Sequence, residues 1–189
     1  MKVSILIPVY GVEQYIAECA RSLFSQTYRD LEFIFVDDCS PDNSISVLKK
    51  VLEDYPDRAN QVHIIRHETN KGVGTARQTA FTHATGECIM HADSDDLLPA
   101  DAVELLVGRM QKGAYDIVSG AYAEYRNQTI GAIKLPPTLP NQYYVRQLLC
   151  QNLVKHNLWG RLYRRAFLQE NNISFVPGID YCEDYTVIT

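Results

Sequence analysis

Val3-Ser4-Ile5-Leu6-Ile7-Pro8-Val9 is a continuous, largely β-branched run, the pattern of a strand buried on both faces. Outward from it the chain alternates. Val12 to Gln26 places Ile16, Ala20, Leu23 and Phe24 at helical spacing. Leu31 to Val36 reads as a second strand, Asp42 to Leu52 as a helix with Ile45, Leu48 and Leu52 on one face, and Val62 to Arg66 as a third strand. Gly74 to Thr85 reads as a helix rich in Ala and Thr, with Gly86 as its C-terminal stop. Glu87 to Ala92 follows as a strand, Asp101 to Lys112 as a helix, and Tyr115 to Tyr125 returns to strand character. This rhythm predicts an α/β fold: a mostly parallel central sheet with helices on both faces and right-handed crossovers.

In such sheets ligands bind beyond the carboxyl ends of the strands. Pro8-Val9-Tyr10, Val36-Asp37-Asp38 and Ala92-Asp93-Ser94-Asp95 all stand at strand carboxyl ends, so they are expected to meet on one rim. Asp93, Asp95 and Asp96 crowd three carboxylates into four positions. Such groups repel and raise each other's pKa unless a cation joins them. Mg²⁺ or Mn²⁺, hard ions that share their coordination with substrate phosphates, would resolve the crowding. An acidic turn capping the next helix would read the same way.

Two further stretches carry polar chemistry. Asp37-Asp38-Cys39-Ser40-Pro41-Asp42 offers a carboxylate for a base edge or a sugar hydroxyl, while Ser40 or Asp42 also suits helix capping. Asn70-Lys71-Gly72-Val73-Gly74-Thr75-Ala76-Arg77 runs a Gly-bearing loop into a helix, where the backbone can approach an anion and Arg77 can pair with a phosphate. Its spacing fits neither the P-loop nor the dinucleotide fingerprint. Near the end, Glu183-Asp184 could open a helix as an acidic first turn or supply a general base.

The 189 residues, 46% hydrophobic and 22% charged, suit one compact domain. No apolar run is long enough to span a bilayer, and the start reads as a strand, not a signal peptide. A net charge of −5 with no basic stripe argues against duplex nucleic acid. Cys19, Cys39, Cys88, Cys150 and Cys182 are scattered without metal spacing, as expected of free thiols in a reducing compartment with no zinc site. His67 and His91 read as structural. Beyond Asn127 the pattern weakens: Pro136, Pro137 and Pro140 mark a loop, Tyr143 to Val154 a helix, Trp159 to Tyr163 a strand and Arg164 to Glu170 a helix. Tyr143, Tyr144 and Trp159 suit packing or stacking on sugar rings. Tyr181 to Thr189 starts a helix and stops without a cap, so the chain is expected to be a C-terminally truncated piece of a longer protein.

Taken in order, Ser4-Ile5-Leu6-Ile7-Pro8-Val9-Tyr10, Val36-Asp37-Asp38-Cys39-Ser40-Pro41-Asp42, Asn70 to Arg77, Asp93-Ser94-Asp95-Asp96, Gly160-Arg161-Leu162-Tyr163-Arg164 and Glu183-Asp184 resemble the family 2 glycosyltransferases of the GT-A fold. The resemblance departs mildly at Cys39, where Gly is usual, and at Gln78, where Asn is common. It implies an inverting transferase that moves a sugar from a nucleotide-sugar, usually a UDP-sugar, to an acceptor hydroxyl of a growing glycan, as in surface polysaccharide or lipopolysaccharide synthesis. It assigns Pro8, Tyr10 and Asp37 to the uracil pocket, Arg77 to base or phosphate, and Asp93 to the ribose or the metal shell. Asp95 would ligate Mn²⁺ or Mg²⁺, and Asp184, supported by Glu183, would be the base. Residues 1–126 would form the donor subregion and 127–189 the acceptor side of the same domain. The implied enzyme is cytoplasmic, works at the inner membrane face on a lipid-linked or glycan acceptor, and allows a homodimer. A non-catalytic nucleotide-sugar-binding module and a sugar nucleotidyltransferase are the alternatives.

Overall fold

The computed structural model describes residues 1–126, 129–134 and 157–175. The opening run forms β1 (Val3–Val9), and β2 (Leu31–Asp37), β3 (Val62–Arg66) and β4 (Cys88–His91) follow in chain order. Helices α1 (Ile16–Phe24), α2 (Ser44–Leu52), α3 (Val73–His83) and α4 (Ala102–Gln111) alternate with the strands, and a short 3-10 helix (Pro56–Gln61) precedes β3. β5 (Ile117–Ser119), the two-residue strands β6 (Tyr125–Arg126) and β7 (Thr129–Ile130), β8 (Arg161–Arg164) and α5 (Arg165–Glu170) complete the described elements.

The main sheet has the order β3-β2-β1-β4-β8-β5. β1, β2, β3 and β4 are parallel, and β8 runs antiparallel to both β4 and β5. Alternation along each strand divides the core into two layers. Ile5, Ile7, Phe33 and Phe35 pack under α1, α2 and α4, against Ile16, Leu23, Leu48 and Val103. Leu6, Ile34 and Ile89 face Ala76 and Ala80 of α3 and Leu168 of α5 on the other side. On α1 the buried set is Ile16, Cys19, Ala20, Leu23 and Phe24, one stripe at helical spacing. The Phe24 ring meets Phe33 edge-on with centroids 5.3 Å apart, a contact worth roughly 0.5–1.5 kcal/mol beyond its buried area.

Two expectations change. α3 ends at His83, and its C-cap Ala84 is extended, so Gly86 does not stop the helix. A Cβ at Gly86 would lie 2.6 Å from Ser4 Oγ and 2.7 Å from Ser4 N, so this glycine allows β1 to pass closely. Tyr115 to Tyr125 is not one strand: β5 covers three residues, and Tyr125 belongs to the β6–β7 pair. The short strand near Trp159 is inserted between β4 and β5, which places a late segment of the chain inside the sheet. The predicted helix from Tyr143 to Val154 lies outside the described residues.

Candidate functional site

β1 is flanked by β2 on one side and β4 on the other, so the strand order reverses there and the loops beyond the strands part. The cleft at that point has a volume of about 490 Å³ and is lined by Pro8, Tyr10, Asp38, Asn70, Arg77, Asp93 and Asp95, among others. All three expected strand ends contribute to it.

Polar side chains of the β2–α2 connection hold the β1–α1 loop. The Gly11 N–H donates to Ser40 Oγ at 2.9 Å, the Val12 N–H to Ser44 Oγ at 3.1 Å and the Glu13 N–H to Asp42 Oδ2 at 2.9 Å. Gly11 itself has φ +66°, a conformation glycine adopts without cost from a Cβ. Asp42 Oδ1 also accepts the Ser44 N–H at the start of α2, while the N-cap residue Asn43 makes no side-chain cap bond. The expected capping residues therefore also join two loops.

Asp37 and Asp38 point to different tasks. β2 ends at Asp37, and successive strand side chains alternate faces. Asp37 Oδ1 accepts the Ser40 N–H at 2.8 Å, and Oδ2 lies 3.4 Å from Arg66 Nε. Asp37 is not among the residues that line the cleft; Asp38 is. The Lys71 N–H donates to Asp38 Oδ1 at 2.9 Å and the Gly72 N–H to Oδ2 at 2.8 Å. His67 Nδ1 lies 2.6 Å from Oδ1. The Asn70–Arg77 loop was expected to offer its backbone to an anionic ligand; two of its N–H groups instead hold the protein's own carboxylate.

Arg77 is buried on α3, 4% exposed. Its Nη2 donates to Asp93 Oδ1 at 2.8 Å, which joins α3 to the end of β4. Asp95 and Asp96 stand at the surface of the turn. Partial burial, then the charges of Asp93 and Asp95, push the Asp96 carboxyl up to about 6. Beneath them, burial and the same three carboxylates push the Cys19 thiol up to about 12, so it stays protonated. Burial and the neighbouring Arg77 charge push the buried His91 down to about 3, which keeps its ring neutral. Among the described residues no three His, Cys, Asp or Glu side chains converge as a metal cage. An exposed Asp95 beside an Asp93 already paired on one oxygen, within a negatively charged turn, fits an ion that takes its other ligands from substrate and water.

Tyr10 is half exposed at the cleft mouth and Pro8 lies in its wall. Trp159 bridges to His91, and the Tyr122 ring meets it edge-on at 5.2 Å. Glu183, Asp184, Tyr143, Tyr144, Cys150 and Cys182 lie outside the described residues. Sequence reasoning missed the bracing of Asp38 by His67. The sequence marks His67 only as structural, and its contact with Asp38 joins residues 29 positions apart, which leaves no local signal.

This mostly parallel sheet, covered by helices on both faces, is a GT-A glycosyltransferase fold. The sequence profile described as Glycosyl transferase family 2 matches residues 4–171, and the chain belongs to that family. It is 31% identical over 190 residues to the uncharacterized glycosyltransferase EpsJ of Bacillus subtilis, covering 96% of this chain and 53% of that protein. It is 32% identical over 186 residues to a poly(ribitol-phosphate) beta-glucosyltransferase of Bacillus spizizenii, covering 97% of this chain and 28% of that protein. Residues 1–349 of S. aureus TarS, solved in complex with UDP, share the fold with a TM-score of 0.75 at 24% identity, over 97% of this chain and 53% of that one. The mannosyltransferase PcManGT of Pyrobaculum calidifontis, solved with GDP-Man and Mn²⁺, has a TM-score of 0.71 at 23% identity, over 98% of this chain and 50% of that one. The chain thus spans about half or less of the length of these relatives. Among the described residues no helix is long and apolar enough to cross a membrane.

Proposed function

We propose that this chain belongs to the catalytic domain of an inverting glycosyltransferase that takes a UDP-sugar and passes the sugar to a hydroxyl of a growing surface glycan or lipid-linked acceptor. The observation that carries the reading is the single cleft in which Pro8, Tyr10 and Asp38 share walls with Arg77, Asp93 and Asp95. Pro8 and Tyr10 bracket the base, and Asp38, which stands in the cleft wall where the sequence suggested its neighbour Asp37, meets the polar edge of the base. Asp93 takes the ribose side and, with Asp95, holds Mn²⁺ or Mg²⁺. That cation, when bound, stabilises the charge that builds on the departing diphosphate. Arg77 holds Asp93 in place and adds positive charge beside the phosphates.

Asp184, supported by Glu183, is the base. As the acceptor oxygen bonds to the anomeric carbon, its proton passes to Asp184. The bond from that carbon to the diphosphate oxygen breaks, and the nucleotide leaves with the electron pair. One displacement through an oxocarbenium-like state inverts the centre. Residues 1–126 form the donor side and 127–189 the acceptor side of one catalytic domain, which acts in the cytoplasm, as monomer or homodimer, on acceptors at the membrane face. The similarity to a poly(ribitol-phosphate) beta-glucosyltransferase supports a cell-surface polymer as acceptor class.

Calorimetric titration of UDP with and without Mn²⁺, repeated with Asp95→Asn, tests the donor site. Metal-dependent binding that the substitution abolishes is the expected result; a silent wild type overturns the reading. In the full-length protein, Asp184→Asn is expected to keep UDP binding and lose transfer. Unchanged turnover there removes Asp184 as base, and transfer absent from the wild type with every UDP-sugar favours a binding module.

A further inference from the structure

Asp38 is among the most heavily bonded carboxylates at the cleft. It is 2% exposed, yet it forms part of the cleft wall. Oδ1 receives the Lys71 N–H and faces His67 Nδ1, and Oδ2 receives the Gly72 N–H. A carboxylate has about four acceptor sites. Three are used within the protein, which leaves about one, on Oδ2, for a donor on the ligand.

The His67 ring decides where that last site sits. Its side chain is buried at 6% exposure. A carboxylate only accepts hydrogen bonds, so His67 Nδ1 carries the hydrogen in the contact with Asp38. On the opposite edge, Nε2 lies 2.9 Å from Thr79 Oγ1. Thr79 is on α3, and its hydroxyl also lies 2.9 Å from the Thr75 carbonyl, so its one hydrogen is shared between that carbonyl and the lone pair of Nε2. The ring is therefore held between the helix that carries Arg77 and the carboxylate that anchors the residue 71–72 backbone. Nothing in the proposed chemistry requires His67 to touch substrate.

We propose that His67, backed by Thr79, is a positioning residue for the donor nucleotide: its Nδ1–H holds the Asp38 carboxylate, so that one side chain sets both the cleft wall and the Lys71-Gly72 floor. The inference rests on the donor reading above and adds to it a residue that only orients. Loss of the ring leaves the Asp38 carboxylate held only by the Lys71 and Gly72 N–H groups, so the carboxylate and the loop before α3 are fixed less firmly. An imino N–H of a pyrimidine base would then meet an acceptor with a less fixed direction.

The two ring nitrogens can be tested separately. Asn at position 67 restores an N–H near Nδ1, whereas Gln reaches the place of Nε2 and leaves Asp38 unserved. In UDP titrations with Mn²⁺ on the full-length protein, His67→Ala is expected to weaken binding about tenfold, the scale of one lost hydrogen bond to a charged group. His67→Asn recovers most of that loss and His67→Gln does not, although the two lower the melting temperature by similar amounts. Thr79→Val weakens UDP about threefold, because the ring remains but loses its rear support. Equal UDP affinity in the Asn and Gln variants, or affinity that simply follows melting temperature, overturns the positioning role. Wild-type affinity in all His67 variants overturns it too and leaves the donor reading intact. A wild type that binds no nucleoside diphosphate overturns both.

Discussion

Arg77 on α3 donates from Nη2 to Asp93 Oδ1 across 2.8 Å, tying the helix after the Gly-bearing loop to the acidic turn after β4. The arginine is the more buried partner, with 5% of its side chain exposed against 29% for Asp93. Truncating either partner leaves the other in partly desolvated surroundings. Arg77→Leu is expected to cost about 2 kcal/mol in urea unfolding and to weaken UDP binding with Mn²⁺. A variant of wild-type stability would mean that the pair is only a surface contact.

Asp95 stands in the same turn but is exposed. Surface substitutions away from packing or networks stay within about 0.5 kcal/mol. Asp95→Asn is therefore expected to unfold at the wild-type urea midpoint and still lose metal-dependent UDP binding. A shifted midpoint would point to a structural role for this carboxylate.

Gly86 passes β1 so closely that an added Cβ would sit 2.7 Å from the Ser4 backbone nitrogen and 2.9 Å from the Lys2 carbonyl oxygen. Backbone cannot move aside as a flexible side chain can. Gly86→Ala should destabilise by at least about 2 kcal/mol, measured by thermal or urea unfolding. Near-neutral behaviour would show that β1 can shift at its N-terminal end.

Glu32 is a buried carboxylate on β2, 2% exposed. Burial alone would raise its pKa, but hydrogen bonds from Lys2, Ser4 and Thr85 prevail and lower it from 4.5 to about 2. A depressed carboxylate stabilises the fold above its unfolded pKa, and that contribution is lost as pH falls through the folded value. The stability gap between wild type and Glu32→Gln is expected to be full at pH 7 and to shrink between pH 4.5 and 2. Urea midpoints across that range measure it; a constant gap would contradict the linkage.

Cys39 holds φ +60°, a left-handed conformation that costs a side chain roughly 1–2 kcal/mol. Glycine there loses roughly 0.5–1 kcal/mol to chain entropy instead. Cys39→Gly is expected to raise the melting temperature by about 2 °C. A lower melting temperature would show that the Cys39 Sγ contact with the Glu68 carbonyl, at 3.6 Å, outweighs the strain.

Much of this was legible in the residues. β3 runs from Val62 to Arg66 as its apolar run suggests, and Ile16, Ala20, Leu23 and Phe24 form the buried face of α1. Hydrophobic period is a local property, so it survives without tertiary information. Other residues gave no such signal. Arg58 looks like any surface arginine, yet it is 3% exposed and donates from Nε to the Phe24 carbonyl at 3.1 Å. Gly86 resembles a helix stop because a glycine after a helix and a glycine under a strand leave the same mark. Asp37 and Asp38 are chemically identical, and only the end of β2 tells them apart.

The sequence by itself determined the order of strands and helices, the two-sided core and the gathering of acidic turns at strand carboxyl ends, because each follows from apolar period and from short-range turn chemistry. Only the tertiary structure decided that β8 enters between β4 and β5, that Asp38 and not a ligand takes the N–H groups of Lys71 and Gly72, and that Arg77 faces Asp93. Those outcomes depend on pairings between segments far apart in the chain. They are set by how the whole sheet closes, since a buried donor or charge must find its partner wherever the packed fold brings one.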